Sequence, residues 1–371
     1  MEKQPCLDID AAKTLAPLNV MGQAHLEELL MNSSVMPLFA GQTLFRQGDV
    51  DHQYLYLLYG ELEIKYPDGT TRILEGSQSR LPIAPQQPRN CTVKALGDCS
   101  VLHIDSNRLN KLLSWSQIAD YMAVEMAYDP NRDEDAAWID TVLHSNLFYK
   151  VPPTNIGCLL SRMKPMVVDA GEVILRQGEI GDGCYFIKEG EAKVTRAEAP
   201  NQPSELLAII DHGRCFGEDA LIQETVRNAT VTMLNAGVLM FMDKKDFVEL
   251  LKEPGVPGLN GAELMGVVSQ GATLIDVRTQ DEYEAGCLEG ALNFPLHLLR
   301  SKQRMLEKDI HYVIYCDSGR RSQAAVYLLR EQGYNVTWLS GGMQELSAAL
   351  LKTWFKVGGD EQSTAMAHSF L

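Results

Sequence analysis

The sequence predicts a multidomain chain: two antiparallel, jelly-roll-like β-barrels with flanking helices, then an α/β domain on a parallel sheet. Three observations carry that expectation. A motif recurs before residue 255, each copy reads as short strands punctuated by glycine, and strand then alternates with helix after a Pro/Gly-rich break. At 371 residues the chain is too long for one small domain. Its 45% hydrophobic and 22% charged residues are ordinary globular composition, not disorder.

The repeat is explicit. Gly41-Gln42-Thr43-Leu44-Phe45-Arg46-Gln47-Gly48-Asp49 returns as Gly171-Glu172-Val173-Ile174-Leu175-Arg176-Gln177-Gly178-Glu179, and Gly60-Glu61 returns at the same offset as Gly190-Glu191. Arg89-Asn90-Cys91-Thr92-Val93 returns as Arg227-Asn228-Ala229-Thr230-Val231 at a longer offset, so the second copy carries extra residues between these landmarks. Within the first copy, the β-prone runs Tyr54 to Tyr59 and Leu62 to Tyr66 meet at Gly60. Pro67-Asp68-Gly69-Thr70 makes the next turn. Glycines spaced in this way are the corners of a small barrel. Asp243 is placed to cap a helix whose stripe is Phe247, Leu250 and Leu251.

A polar break at Asp129–Asp135 separates the copies, and Glu253-Pro254-Gly255-Val256-Pro257-Gly258 forms a second linker. Beyond it, strands at Thr273 to Val277, Tyr312 to Tyr315 and Val336 to Leu339 alternate with helical stretches, Ser322 to Gln332 among them, stopped at Gly333. The expected domains are 14–127, 138–253 and 258–352, followed by a tail over 353–371.

Composition narrows the function. A net charge of −16 argues against a nucleic-acid groove, which needs a basic surface. No run of about 18 apolar residues is present, and the first residues lack the apolar core of a signal peptide. The eight cysteines contain no C-x-x-C pair and read as reduced thiols, so a cytoplasmic location without membrane contact is expected, and no metal.

Phe216-Gly217-Glu218-Asp219-Ala220-Leu221-Ile222, then Arg227-Asn228-Ala229, has the chemistry of an anion seat. Gly217 lets backbone approach a ligand, and a short helix beginning near Ala220 offers free N–H groups. Arg227 supplies a charge-assisted pair, and Glu218 accepts from a hydroxyl. The stretch resembles the phosphate-binding cassette of cyclic-nucleotide-binding domains. The likeness runs through the whole second copy, with Gly171, Arg176-Gln177-Gly178, Gly181-Asp182 and Ile187-Lys188-Glu189-Gly190 at framework positions. It implies that Glu218 meets the ribose 2′-hydroxyl and Arg227 the cyclic phosphate. Asp219 stands where many members are apolar. Asn228 stands where cAMP sites often have Ala and cGMP sites Thr or Ser. The base preference is therefore open, with cAMP favoured on general grounds. In the first copy, Ser79 to Pro88 has no Phe-Gly-Glu, and Pro82, Pro85 and Pro88 block a phosphate helix. Arg89 there is expected to be structural or to meet a neighbouring domain, and that copy is not expected to bind nucleotide.

Cys316-Asp317-Ser318-Gly319-Arg320-Arg321-Ser322 follows a buried strand and opens a helix. Loop N–H groups, the helix dipole and two guanidinium groups there all favour a thiolate nucleophile. With Leu274-Ile275-Asp276-Val277-Arg278, Asp281-Glu282-Tyr283, Gly290-Ala291-Leu292-Asn293-Phe294-Pro295 and Leu339-Ser340-Gly341-Gly342-Met343, the segment resembles a single-domain rhodanese over about 258 to 350. That resemblance makes Cys316 the sulfur carrier, with Arg320 and Arg321 lining the pocket and steering an anionic donor such as thiosulfate. The acceptor is unspecified. Asp276, Arg278 and Glu282 are expected to stabilise the fold. Phosphatases and arsenate reductases on the same scaffold resemble His-Cys-x5-Arg. Here Tyr315 replaces that His and the loop is one residue shorter, which suits sulfur. Cys287 is expected to be a small buried residue, with a resolving thiol as the other reading. The whole then reads as a cyclic-nucleotide sensor joined to a sulfurtransferase. A non-enzymatic signalling adaptor is the rival. A transcription factor or kinase regulatory subunit is less well matched, for want of a helix-turn-helix and of clustered arginines before residue 40.

Overall fold

The structure, a computed structural model, describes residues 7–127, 152, 155, 162–198, 202–252, 257–347, 350–351 and 354–356. The expected break at 129–135, the linker residues 253–256 and most of the tail lie outside them. The chain forms two compact units: Met1–Tyr121 with Val256–Leu371, and Met122–Gly255. The first barrel and the C-terminal domain thus share one unit.

The first barrel follows α1 (Ile9–Ala12) and α2 (Gln23–Met31). Its strands are β1 (Ser34–Leu38), β2 (Thr43–Phe45), β3 (Gln53–Tyr59), β4 (Glu61–Lys65), β5 (Thr71–Glu75), β6 (Thr92–Ala95) and β7 (Cys99–Asp105), and α3 (Ser106–Ala127) leaves it. They pair antiparallel as β1-β7-β3 and β2-β6-β4-β5. Period-two alternation sends Leu55 and Leu57 inward with Leu62, Ile64, Val93 and Val101. Each such fully buried side chain contributes roughly 1.5–3 kcal/mol. Gly60 turns the corner at φ +93°, where a Cβ would press on Asp98 and Cys99.

The second barrel repeats this plan with β8 (Lys164–Val168), β9 (Val173–Leu175), β10 (Gly183–Glu189), β11 (Ala192–Arg196), β12 (Glu205–Ile210), β13 (Cys215–Phe216), β14 (Thr230–Met233) and β15 (Gly237–Asp243). Between β13 and β14 it carries α4 (Glu218–Ile222), and after β15 comes α5 (Lys244–Leu250). Its sheets run β13-β10-β15-β8 and β12-β11-β14-β9. The sequence repeat is a repeat of bonds. Gly48 N–H donates to Arg89 O at 2.7 Å and Gly178 N–H to Arg227 O at 2.8 Å. Gln47 and Gln177 each donate backbone N–H to a threonine hydroxyl, Thr92 or Thr230, at 3.1 Å. Asp243 caps α5 by accepting from Asp246 N–H, and Phe247 and Leu250 are buried with Leu251 half-buried beside them.

The C-terminal domain contains α6 (Gly261–Ser269), β16 (Thr273–Asp276), α7 (Gln280–Ala285), β17 (Cys287–Leu288), β18 (Leu292–Asn293), α8 (Leu299–Lys302), β19 (Tyr312–Tyr315), α9 (Arg320–Glu331), β20 (Val336–Trp338) and β21 (Phe355–Lys356). Its main sheet is parallel in the order β18-β16-β19-β20. All four residues of β19 are buried, as a central strand covered on both faces requires. Capping boxes start α6 (Asn260 with Glu263) and α7 (Thr279 with Glu282). Phe355 and Lys356, expected in the tail, pair antiparallel with Leu288 and Cys287. Among the described residues no helix is long and apolar enough to cross a membrane.

Candidate functional site

β13 delivers Phe216 onto Tyr185, with the rings stacked 5.4 Å apart. Gly217 then turns at φ +88° and acts as N-cap, so α4 begins at Glu218, two residues earlier than expected. This left-handed turn starts α4 on the lining of a cavity of about 190 Å³. Of the expected residues, Phe216, Gly217, Glu218, Ala220, Arg227, Asn228 and Ala229 line it, whereas Leu221 is buried outside its lining. Asp219 and Asn228 are exposed at the rim. Sequence reasoning missed the apolar wall of Leu175, Val194 and Ile210. Inward positions of alternating strands were its signal.

Arg227 is only 3% exposed, and protein acceptors meet both terminal nitrogens of its guanidinium. Nη1 donates to Gly217 O at 2.6 Å, and Nη2 donates to Gly183 O at 2.7 Å and Asp182 Oδ1 at 2.9 Å. The first barrel keeps the same clasp. Arg89 Nη1 donates to Ala84 O at 2.7 Å, and Nη2 donates to Gln53 O at 2.8 Å and Asp51 Oδ1 at 2.7 Å. Ala84, at φ +35°, therefore stands where Gly217 stands. Arg227 lies ten residues beyond its carbonyl partner and Arg89 only five. The shorter span leaves no length for α4, and residues 82–88 form no helix.

β19 delivers Cys316, 1% exposed, into the turn before α9. Gly319 N–H donates to its Sγ at 3.2 Å, and Ser322 Oγ lies 3.6 Å away. Gly319, at φ +85°, leaves its missing Cβ to Trp338 and the Gly341 backbone. The turn at Gly341-Gly342 closes over the strand end, where Met343 N–H donates to Cys316 O at 2.9 Å and Gln344 N–H to Asp317 O at 3.0 Å.

The cyclic nucleotide-binding domain model matches residues 36–115 and 165–253, and the rhodanese-like domain model matches 262–349. The chain carries two cyclic nucleotide-binding domains followed by a rhodanese-like domain. It is 24% identical over 245 residues to the cGMP-dependent protein kinase egl-4 of Caenorhabditis briggsae, covering 65% of this chain and 31% of the relative. It is 39% identical over 121 residues to the cAMP-dependent protein kinase regulatory subunit of Schizosaccharomyces pombe, covering 31% and 28%. The chain therefore spans about a third of the length of these relatives. Among solved structures, the regulatory domain of Toxoplasma gondii PKA with cAMP aligns at 20% identity and a TM-score of 0.26, over 71% of this chain and 95% of that one.

In the rhodanese-like domain, the two arginines of the loop are placed differently. Arg320 is exposed, but Arg321 is 2% exposed and turned inward. Its Nη1 and Nη2 each donate to Glu282 at 2.8 Å, and Nη2 also meets Asp317 Oδ2 at 3.3 Å. A fork committed to two buried carboxylates offers no face to an anionic donor. Arg278 is equally enclosed, donating to Asp276 at 2.7 Å, Asp317 at 3.2 Å and Gly286 O at 2.6 Å. Three carboxylates thus share two guanidinium groups directly beneath Cys316. Burial pushes Glu282 up, but Arg321 outweighs it and holds the carboxyl at about 2. Asp317 fares differently. Burial, reinforced by the Glu282 charge, pushes it up to about 6 despite Arg278 and Arg321. Cys287 is buried on β17, and burial raises its thiol. Among the described residues no cluster of His, Cys, Asp or Glu is placed to hold a metal.

Proposed function

We propose that the second barrel binds a 3′,5′-cyclic nucleotide, cAMP before cGMP, and that the rhodanese-like domain carries sulfur as a Cys316 persulfide. The buried Arg227 beside the N-terminus of α4 and Glu218, all on one cavity, carries the nucleotide reading. The first barrel keeps the arginine and lacks the helix, which supports binding by the second alone. The preference for cAMP leans on the Schizosaccharomyces pombe relative, whose match is the more similar of the two.

For sulfur transfer, the Cys316 thiolate attacks the outer sulfur of thiosulfate. The new S–S bond forms as sulfite leaves with the electron pair of the old one. An acceptor nucleophile such as cyanide then takes that outer sulfur, and the S–S pair returns to Cys316 as thiolate. The donor to Sγ from Gly319 supports the anion at both stages. Arg320, Asp317, Ser318 and Ser322 complete the loop, and the proposed site is cytoplasmic. The second reading, an adaptor whose rhodanese-like domain docks a partner, is favoured by the 1% exposure of Cys316.

Calorimetric titration of the full chain with cAMP and cGMP tests the first half. Heat is expected with the native chain and is lost with Arg227→Ala; silence from both ligands overturns it. Thiosulfate-to-cyanide turnover, measured with and without nucleotide, tests the second. Activity lost in Cys316→Ser and altered by nucleotide supports a regulated transferase. No turnover under either condition favours the adaptor.

A further inference from the structure

The first barrel has a contracted cassette and no phosphate helix, and the residues left in that gap are not idle. Pro85 and Gln86 join Tyr54 as one wall of a cavity whose other wall is Asp317, Met343 and Gln344 of the rhodanese-like domain. Asp317 follows Cys316 directly, and Met343 and Gln344 are the residues whose N–H groups hold the backbone of Cys316 and Asp317. The barrel therefore packs on both strands of chain that frame the thiol.

Polar contacts fix the same seat away from that cavity. Asn19 Nδ2 donates to Asp281 Oδ2 at 2.9 Å, and Gln117 Nε2 approaches His297 Nδ1 at 3.5 Å. Tyr54 and Tyr56 lie on the outward face of β3, opposite the inward Leu55 and Leu57, yet are 4% and 0% exposed. Burial raises both phenols, and the charges of Asp317 and Glu282 raise them further, which puts β3 in the field of the cysteine-loop network. The two domains form one compact unit.

We propose that the first barrel is a lid for the cysteine loop, its lost nucleotide seat converted into a docking surface for the chain's own rhodanese-like domain. A thiol-directed reagent or sulfur donor reaches Cys316 freely only when the Tyr54, Pro85 and Gln86 face withdraws. The proposal rests on Cys316 being the reactive thiol, but not on thiosulfate being its donor.

The test uses the full chain and residues outside both proposed sites. Asn19→Asp sets a second carboxylate against Asp281, and adding Asp281→Asn restores a donor–acceptor pair. Pro85→Glu brings a carboxylate toward Asp317 from a barrel loop. Native-state alkylation of Cys316 by iodoacetamide is followed by peptide mass spectrometry, with amide exchange over 316–322 in parallel. Asn19→Asp and Pro85→Glu are expected to raise the alkylation rate several-fold, and the Asn19→Asp/Asp281→Asn pair to bring it back near native. Unchanged alkylation in both single variants overturns the lid. So does a raised rate that the paired variant fails to reverse, since that marks local unfolding of the loop. Thiosulfate turnover in the same proteins separates the two readings, because faster alkylation without turnover sinks the sulfur-transfer proposal and leaves the lid standing.

Discussion

Asp317 is the residue on which the charge of the cysteine loop turns. It sits between Arg278 and Arg321, its side chain 15% exposed, in a cluster with one carboxylate more than its guanidinium groups neutralise. Its carboxyl is raised to about 6, so folding favours its protonated form. The stabilisation is fully present below the ordinary carboxylate range and is lost as pH rises through about 6. Glu282 has the opposite sign: held at about 2, its contribution is lost only as pH falls below the ordinary range toward 2. Between pH 5 and 7 the Asp317 slope therefore stands alone among these two. The unfolding free energy of the native chain from urea titration should fall across that interval by about 1 kcal/mol, and Asp317→Asn should flatten the fall. A native profile with no slope there would remove Asp317 from the account. The position of the loop was legible in sequence, because Cys316 follows a buried strand and precedes a helix start. The inward turn of Arg321 was not, since spacing places a guanidinium on a helix without saying which carboxylates its fork will meet.

At the scale of elements, the glycines were the readable part. Gly60, Gly217 and Gly319 each occupy a positive-φ corner that sequence punctuation had marked. Gly342 goes further, because at φ +62° an added Cβ would run into the carbonyl oxygens of Cys316 and Asp317. Those are backbone atoms that cannot rotate aside. Gly342→Ala should cost about 2–4 kcal/mol from the left-handed backbone and the overlap together. It should abolish thiosulfate turnover while leaving the calorimetric titration with nucleotide intact. An unfolding midpoint equal to native would show that the closing turn yields more readily than its geometry implies. Less legible were β21, two residues whose strand pairing is decided by Gly286, where a Cβ would collide with Phe355, and the start of α4. Strand pairing over two residues leaves no periodicity to read.

For the whole molecule, the first barrel and the C-terminal domain share one compact unit, and what joins them is chemical. Among the described residues that join the first barrel to the C-terminal domain are Asn19, Tyr54, Gln86 and Gln117, ordinary polar and aromatic side chains without a motif. Neither periodicity nor composition distinguishes a docking glutamine from a solvated one. The nucleotide-binding unit lies in sequence between the two halves of the other unit, so chain leaves and re-enters across it. Saturating cAMP at about a hundred times its Kd should stabilise residues 162–252 by about 2.7 kcal/mol. Amide exchange over that range reads the gain, and protection unchanged by ligand would place the nucleotide elsewhere.

The five-residue span from Ala84 to Arg89 also sets a limit on redesign. Grafting the longer Gly217–Arg227 segment into the first barrel would rebuild a ligand pocket, but it would raise a helix where Pro85 and Gln86 now meet Asp317. Such a chimaera would have to choose between a small-molecule tenant and a protein one. The shortened loop is thus an either-or decision written into the backbone, and on the proposed assignments the native chain holds one barrel of each kind.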